Sequence, residues 1–327
     1  MIKKYLLAAG KGLVWILALT AAAFLIATLF YRDIPAAELE AKWATPPSQF
    51  IEVDGLRIHY REDGQGPVIV LAHANFASLF MWEPWVAALK GQYRVIRFDM
   101  AAHGLTGPDK SGDYSLERSV KLLGLLLDAL KVDKATLVGT SLGGTVSMRY
   151  TVGHPERVER LVLISPGSLE SNVRGSSSPP NIPRAVNAIA LVTPKSLARY
   201  MLTSNFGDKS KVTESLVDQW YVLWRRDGNR VALLDRLRQY VSGDVEKTIG
   251  SVRVPVLLIW GEKNKQVPVA NAYEFQKLLI GAPRVELKVL PGVGHMAVQE
   301  APEETVRVLR QYLDTEAGRA PLALAAP

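Results

Sequence analysis

Ala135-Thr136-Leu137-Val138-Gly139-Thr140-Ser141-Leu142-Gly143-Gly144 is the stretch on which the reading of this chain turns. An apolar, β-branched run enters Gly-x-Ser-x-Gly, and a helix-compatible segment, Thr145 to Val152, leaves it. A strand, a tight bend and a helix in that order hold a serine out of regular structure. Glycines two before and two after it remove the side chains that would collide across the bend, and the first N–H groups of the helix point at whatever the hydroxyl attacks. Ser141 is therefore the candidate nucleophile. A tight turn with a capping serine would satisfy the same five residues, so the flanking pattern carries the argument.

Outward from this stretch, strand-like runs lie at 68–73, 94–99, 135–138, 160–165, 254–260 and 285–290, preceded by a hairpin at 50–62 that turns at Asp54-Gly55. Helical patterns separate them at about 82–90, 116–130, 145–152, 269–280 and 302–313. Continuous apolar strands alternating with amphipathic helices predict an α/β fold with a mostly parallel sheet covered on both faces. The alternation lapses between Ser165 and Val254, where helical stretches near 184–203, 211–226 and 229–241 follow a Ser/Pro-rich segment. This predicts a helical cap at 169–249, inserted after the sixth strand, between core segments 50–168 and 250–314. Residues 33–49 read as a polar linker, and 315–327 as a disordered Ala/Pro-rich tail.

Gly12 to Tyr31 carries twenty residues without a charge, about 30 Å as a helix and matched to a hydrocarbon core. Lys3, Lys4 and Lys11 precede it, while Asp33, Glu38 and Glu40 follow Arg32. The expectation is an uncleaved single-pass anchor over residues 1–32, with the N-terminus cytoplasmic and the catalytic part on the outer side. A signal peptide is the rival reading, but the apolar run continues past the small residues Ala21-Ala22-Ala23. Net charge is +7, and residues 171–253 hold 13 Lys/Arg against 7 Asp/Glu without an Arg/Lys-rich run. A membrane-facing or solvated face accounts for that surplus better than nucleic acid does. The chain has no cysteine, which excludes disulfides and thiolate metal sites; histidine is sparse, and neither a metal motif nor a cofactor motif is present.

Several ordered blocks carry a family likeness: His73-Ala74-Asn75-Phe76 with Ser78 and Trp82, Phe98-Asp99 with His103-Gly104, the bend at Gly139–Gly143, His154-Pro155-Glu156-Arg157-Val158, Trp260-Gly261, and Gly292-Val293-Gly294-His295. Over roughly residues 50–313 the chain resembles an α/β-hydrolase with a helical cap. The resemblance implies Ser141 as nucleophile and His295 as base, with an oxyanion hole from the backbone N–H groups of Leu142 and Asn75. It makes His73 and His103 supports of the loops beside the site, and leaves His59 and His154 as surface or packing residues. The family has His-Gly where this chain has His73-Ala74, which matters only if that loop needs φ > 0. It has aspartate where Asn264 stands, so Asn264 is the aligned third member, with Glu170 and Glu262 as alternative acids. An amide can hold the imidazole, yet cannot balance its charge and can impose the other tautomer.

Haloalkane dehalogenases and epoxide hydrolases need a carboxylate at the bend, which Ser141 excludes. Serine implies acyl transfer to water. The expected substrate is a small hydrophobic ester or acyl compound, as for a carboxylesterase or lipase. The alternatives are a C–C bond of the meta-cleavage product type, or a weakly active or non-catalytic binding protein. Trp220, Tyr221 and Trp224 either pack the cap onto the core or line an acyl pocket.

Overall fold

The computed structural model describes residues 2–167 and 178–316. Eight strands form one sheet: β1 (Ser48–Val53), β2 (Leu56–Asp63), β3 (Val68–Ala72), β4 (Arg94–Phe98), β5 (Ala135–Thr140), β6 (Val158–Ile164), β7 (Val256–Gly261) and β8 (Val285–Leu290). Their order is β1-β2-β4-β3-β5-β6-β7-β8. β2 runs antiparallel to β1 and β4, and every other pairing is parallel. The helices are α1 (Ile2–Phe30), α2 (Ala36–Trp43), α3 (Glu83–Leu89), α4 (Leu116–Ala129), α5 (Leu142–Gly153), α6 (Val186–Ala190), α7 (Lys195–Asn205), α8 (Glu214–Trp224), α9 (Asn229–Gln239), α10 (Val245–Gly250), α11 (Ala270–Leu278), α12 (Ala297–Glu300) and α13 (Pro302–Glu316).

The two-residue period of the central strands divides the interior into two layers. Val70, Leu137, Leu161, Leu163, Leu258 and Trp260 face the layer that holds Leu123, Leu126 and Phe275 of α4 and α11. Ile69, Leu71, Val138, Val162 and Ile259 face the opposite layer, with Trp85 of α3 and Leu309 and Tyr312 of α13. The Trp85 indole N–H donates to Thr305 Oγ1 at 3.0 Å, fastening α3 to α13. Apolar residues on both faces are what a parallel sheet between two helix layers requires.

Helices α6 to α10 fall between β6 and β7, as expected for a cap after the sixth strand. Leu202, Val217, Trp220 and Trp224 pack in the same layer as Ala74, Ala77, Met81, Val293 and Met296. The cap thus sits on the loops at the carboxyl ends of the strands, where open α/β sheets place their ligands.

Two boundaries differ from the sequence expectation. The segment expected as a linker contains α2, whose Leu39 is buried with Leu79, Phe80, Leu105 and Leu223, with Trp43 packed alongside. Its apolar contacts are four residues apart, one helical turn, in a segment too short and too charged to show periodicity. Helix α13 continues through Thr315 and Glu316 of the expected tail, and residues 317–327 lie outside the described residues.

Candidate active site

At the end of β5, Ser141 takes φ 50° and ψ −117°, a conformation an L-residue adopts only at a cost of roughly 1–3 kcal/mol. Hydrogen bonds hold it there. The Ser141 N–H donates to Ile164 O (3.0 Å), Thr145 N–H to Ser141 O (3.1 Å) and Gly143 N–H to His73 O (3.1 Å). A Cβ on Gly139 would collide with the Gly143 carbonyl, and one on Gly143 with the carbonyls of Ala72 and His73. Both glycines are therefore required by close backbone approach. Leu142 opens α5, so its N–H has no acceptor within the helix and stays free to meet an oxyanion.

The loop after β3 holds the second expected donor, Asn75. The left-handed residue here is Phe76 (φ 62°) rather than Ala74, so alanine in place of the usual glycine costs nothing in backbone strain. Phe76 is held by the cap: the Trp224 indole N–H donates to Phe76 O at 2.6 Å, and the two rings meet edge to face at 5.7 Å. Asn75 Oδ1 lies 3.0 Å from His103 Nε2, and His103 Nδ1 lies 2.9 Å from Ala101 O. Burial pushes His103 well below the usual histidine range, so the ring is neutral and gives its one N–H to Ala101. Nε2 is thereby left as an acceptor, for which the NH2 end of the Asn75 amide is the matching partner. His73 is also held low by burial; its Nδ1–H goes to Ala74 O (2.7 Å) and its Nε2 accepts from Met100 N–H (3.0 Å).

His59 is a packing residue, fully buried, with Nδ1 2.7 Å from Asp99 Oδ2 and Nε2 2.9 Å from Ser48 Oγ. Burial alone would raise Asp99. Its bonds from His59 and from the Leu79 N–H outweigh that and leave the carboxyl below its ordinary range. This buried carboxylate pins the start of the segment that follows Asn75 and Phe76. His154 is half exposed at the surface.

His295 follows β8 and is 3% exposed. The cap sets its backbone, since the N–H groups of His295 and Met296 both donate to Asn205 O at the end of α7 (2.7 and 3.2 Å). Glu300, which the sequence reading did not single out, fixes the turn beneath it. Its buried carboxylate accepts from the N–H groups of Gly294 (2.7 Å), Gly207 (2.9 Å) and Asp208 (2.7 Å). Burial lowers the His295 pKa to about 4, so the ring is neutral at physiological pH.

Asn264, after β7, lies with its amide Nδ2 3.1 Å from His295 Nδ1. Its orientation is dictated by the backbone: Oδ1 accepts from the N–H groups of Gln266 (3.1 Å) and Val267 (2.9 Å), leaving the NH2 to face the ring. Nδ1 of His295 is consequently an acceptor, and its proton resides on Nε2. The opposite tautomer sets N–H against NH2, leaving a buried donor unsatisfied at about 1–3 kcal/mol. Trp260 braces this loop by donating from its indole N–H to Val267 O (2.8 Å). Glu262 points away, accepting from Gly292 N–H (2.9 Å), and so does not reach the histidine. Glu170 lies outside the described residues. Among the described residues no cluster of side chains could hold a metal ion.

All these groups hang from the carboxyl ends of β3, β5, β7 and β8, in the order nucleophile, third member, histidine. A family profile described as the alpha/beta hydrolase family matches residues 69–308. The chain belongs to that family. A 2-hydroxy-6-oxo-6-phenylhexa-2,4-dienoate hydrolase from Burkholderia cepacia is 26% identical over 284 residues, covering 81% of this chain and 96% of the relative. The enol-lactonase of Burkholderia xenovorans is 26% identical, with a TM-score of 0.68 over 81% of this chain and 99% of its own. A bacterial membrane phospholipase A, 23% identical, shares the fold with a TM-score of 0.69 over 96% of this chain and 98% of its own. The family and its named hydrolases support hydrolysis, and leave the bond that is cleaved open.

Proposed function

We propose that this alpha/beta hydrolase is a membrane-anchored serine hydrolase that cleaves esters of hydrophobic acids slowly, through an acyl-enzyme on Ser141. The observation that carries the proposal is the left-handed serine at the start of α5, held in a strained bend by contacts that only glycines permit. In the proposed cycle Ser141 Oγ bonds to the ester carbonyl carbon while its proton passes to His295 Nε2. Leu142 N–H and Asn75 N–H stabilise the oxyanion, the alkoxide leaves with that proton, and water hydrolyses the acyl-enzyme by the same route.

His295 accepts at Nε2 only in its Nδ1–H tautomer, which Asn264 disfavours. In the serine-protease triad, aspartate to asparagine with the wrong tautomer lowers turnover about 10⁴-fold, equivalent to roughly 5 kcal/mol of barrier. A slow enzyme is the consequence. The meta-cleavage relative and the enol-lactonase favour a second reading, hydrolysis of a vinylogous C–C bond or an enol ester by the same serine. A purely binding role is the third, motivated by Asn264.

The anchor is the stretch Lys11–Phe30, twenty residues of mean hydropathy 2.5, none of them buried against the rest of the protein. Leu13, Trp15, Leu19 and Leu25 are all more than half exposed, a surface that hydrocarbon would cover. Lysines before it and acids after it put the site on the outer side. Turnover of p-nitrophenyl butyrate by wild type and by Ser141→Ala tests the chemistry: activity that survives the substitution removes Ser141 from the mechanism. A dienoate substrate assayed alongside separates the ester and C–C readings.

A further inference from the structure

Arg32, Asp33 and Ile34, one residue beyond the end of the membrane-length helix, are fastened to the cap. The Ile34 N–H donates to Arg225 O (2.6 Å) and the Asp227 N–H to Ile34 O (2.9 Å), a short strand-like bridge between Ile34 and the α8–α9 turn. The Arg225 guanidinium donates to Arg32 O through Nε (3.1 Å) and Nη2 (2.7 Å). Asp33 Oδ1 accepts from Arg230 Nε (2.8 Å) and Nη2 (2.6 Å), while Oδ2 accepts from Gly228 N–H (3.2 Å). Arg230 is buried and also donates to the carbonyls of Ala190 and Leu191. Beyond the clamp, α2 seats Leu39 against Leu79 and Phe80 of the core and Leu223 of the cap.

The reach of the chain gives this clamp its meaning. Phe30 ends α1 and Ile34 is already on the cap, a span of at most about 14 Å at ~3.5 Å per residue. With α1 in a bilayer, the turn at 225–228 has no slack to leave the headgroup layer. The residue just before that turn, Trp224, is the one that holds the Phe76 carbonyl beside the expected oxyanion donor. The anchor therefore grips the cap and the loop under it, rather than the far end of the sheet.

We propose that the α8–α9 turn, with the exposed Arg32 beside it, is a membrane-seated surface among phospholipid headgroups, and that the hydrolase takes an acyl lipid of that bilayer as substrate. A water-soluble ester needs no such placement of the cap. The inference rests on the anchored-hydrolase reading above, and its test separates the two.

The chain has no cysteine, so single labels are clean. Asp227→Cys reports on the exposed tip of the turn; Ile280→Cys, in the loop that precedes β8 at the opposite end of the sheet, is the control. The full-length variants carry an environment-sensitive fluorophore in phosphatidylglycerol-containing vesicles with a headgroup-level quencher. Strong quenching at 227 with little at 280 is the expected result, and equal quenching overturns the proposal. Failure of the protein to float with vesicles overturns the anchor itself. For the substrate, Asp33→Asn should lower hydrolysis of vesicle phosphatidylglycerol by roughly tenfold, through lost local concentration, and leave p-nitrophenyl butyrate turnover unchanged. Arg32→Glu, a surface change that leaves the clamp's side-chain pair in place, should act the same way on anionic vesicles. A parallel fall on both substrates, or no fall on either, overturns the lipid assignment. If wild type hydrolyses neither substrate, the hydrolase reading and the lipid assignment fall together, and the label still decides the surface.

Discussion

Asn264 concentrates the chemistry of this chain into one hydrogen bond. Two backbone N–H groups demand its oxygen, so its NH2 meets His295 Nδ1 and sets the tautomer. Aspartate at 264 would keep one oxygen on those two N–H groups and present the other to an Nδ1–H. We therefore expect Asn264→Asp to raise ester turnover by roughly 10²–10⁴-fold, read as kcat at pH 7.5. The new negative charge stabilises the imidazolium, so the acid limb of the pH profile should move up in the variant, from a wild-type limb near the His295 value of about 4. Burial of His295 has a stability consequence with a definite sign. Between the unfolded value near 6.5 and about 4 the unfolded chain binds the extra proton, so stability falls as pH drops through that window and levels off below it. The loss amounts to about 3 kcal/mol, from the size of the shift. Urea midpoints at pH 7 and pH 4.5 should separate less in His295→Gln than in wild type.

At the scale of elements, the site is assembled by contacts between the cap and the core loops. Trp224→Phe keeps the ring against Phe76 but deletes the N–H to its carbonyl, a net bond of about 1–2 kcal/mol. Its effect should be a fall of up to about tenfold in kcat with little change in KM, on a protein whose melting is cooperative. Glu300→Gln leaves one acceptor oxygen for three N–H groups and should cost about 1–3 kcal/mol, measured by denaturant unfolding. Glu300 was not marked by sequence. Two of its three partners, the N–H groups of Gly207 and Asp208, come from more than ninety residues away along the chain. Trp220 and Trp224 were legible as cap aromatics, yet which backbone atom an indole reaches is decided by tertiary packing. The strands of the core were legible as short continuous apolar runs, and its helices as the amphipathic patterns that separate them. Helix α2 was hidden because its apolar contacts, Leu39 and Trp43, stand among three acidic and basic side chains. The elbow itself was legible from its glycines, since a backbone-to-backbone approach leaves no other residue type. The polarity of the Asn264–His295 bond was not, because it depends on where the N–H groups of Gln266 and Val267 point.

The molecule as a whole joins an apolar helix, none of whose residues from 11 to 30 is buried, to a strained serine beneath a cap. Removal of residues 1–31 should shift the protein from the membrane pellet to the soluble fraction while short-ester turnover persists, since none of the described side chains of 11–31 belongs to the two core layers. A truncated protein that still pellets with membranes would show that another surface carries the attachment. The central claim is that Ser141 is a nucleophile served by His295 and restrained by Asn264. Intact-mass measurement after exposure to a fluorophosphonate tests it most directly. The account predicts one adduct, mapped to Ser141, forming slowly in wild type, much faster in Asn264→Asp and not at all in Ser141→Ala. No adduct in wild type and none in Asn264→Asp would contradict it.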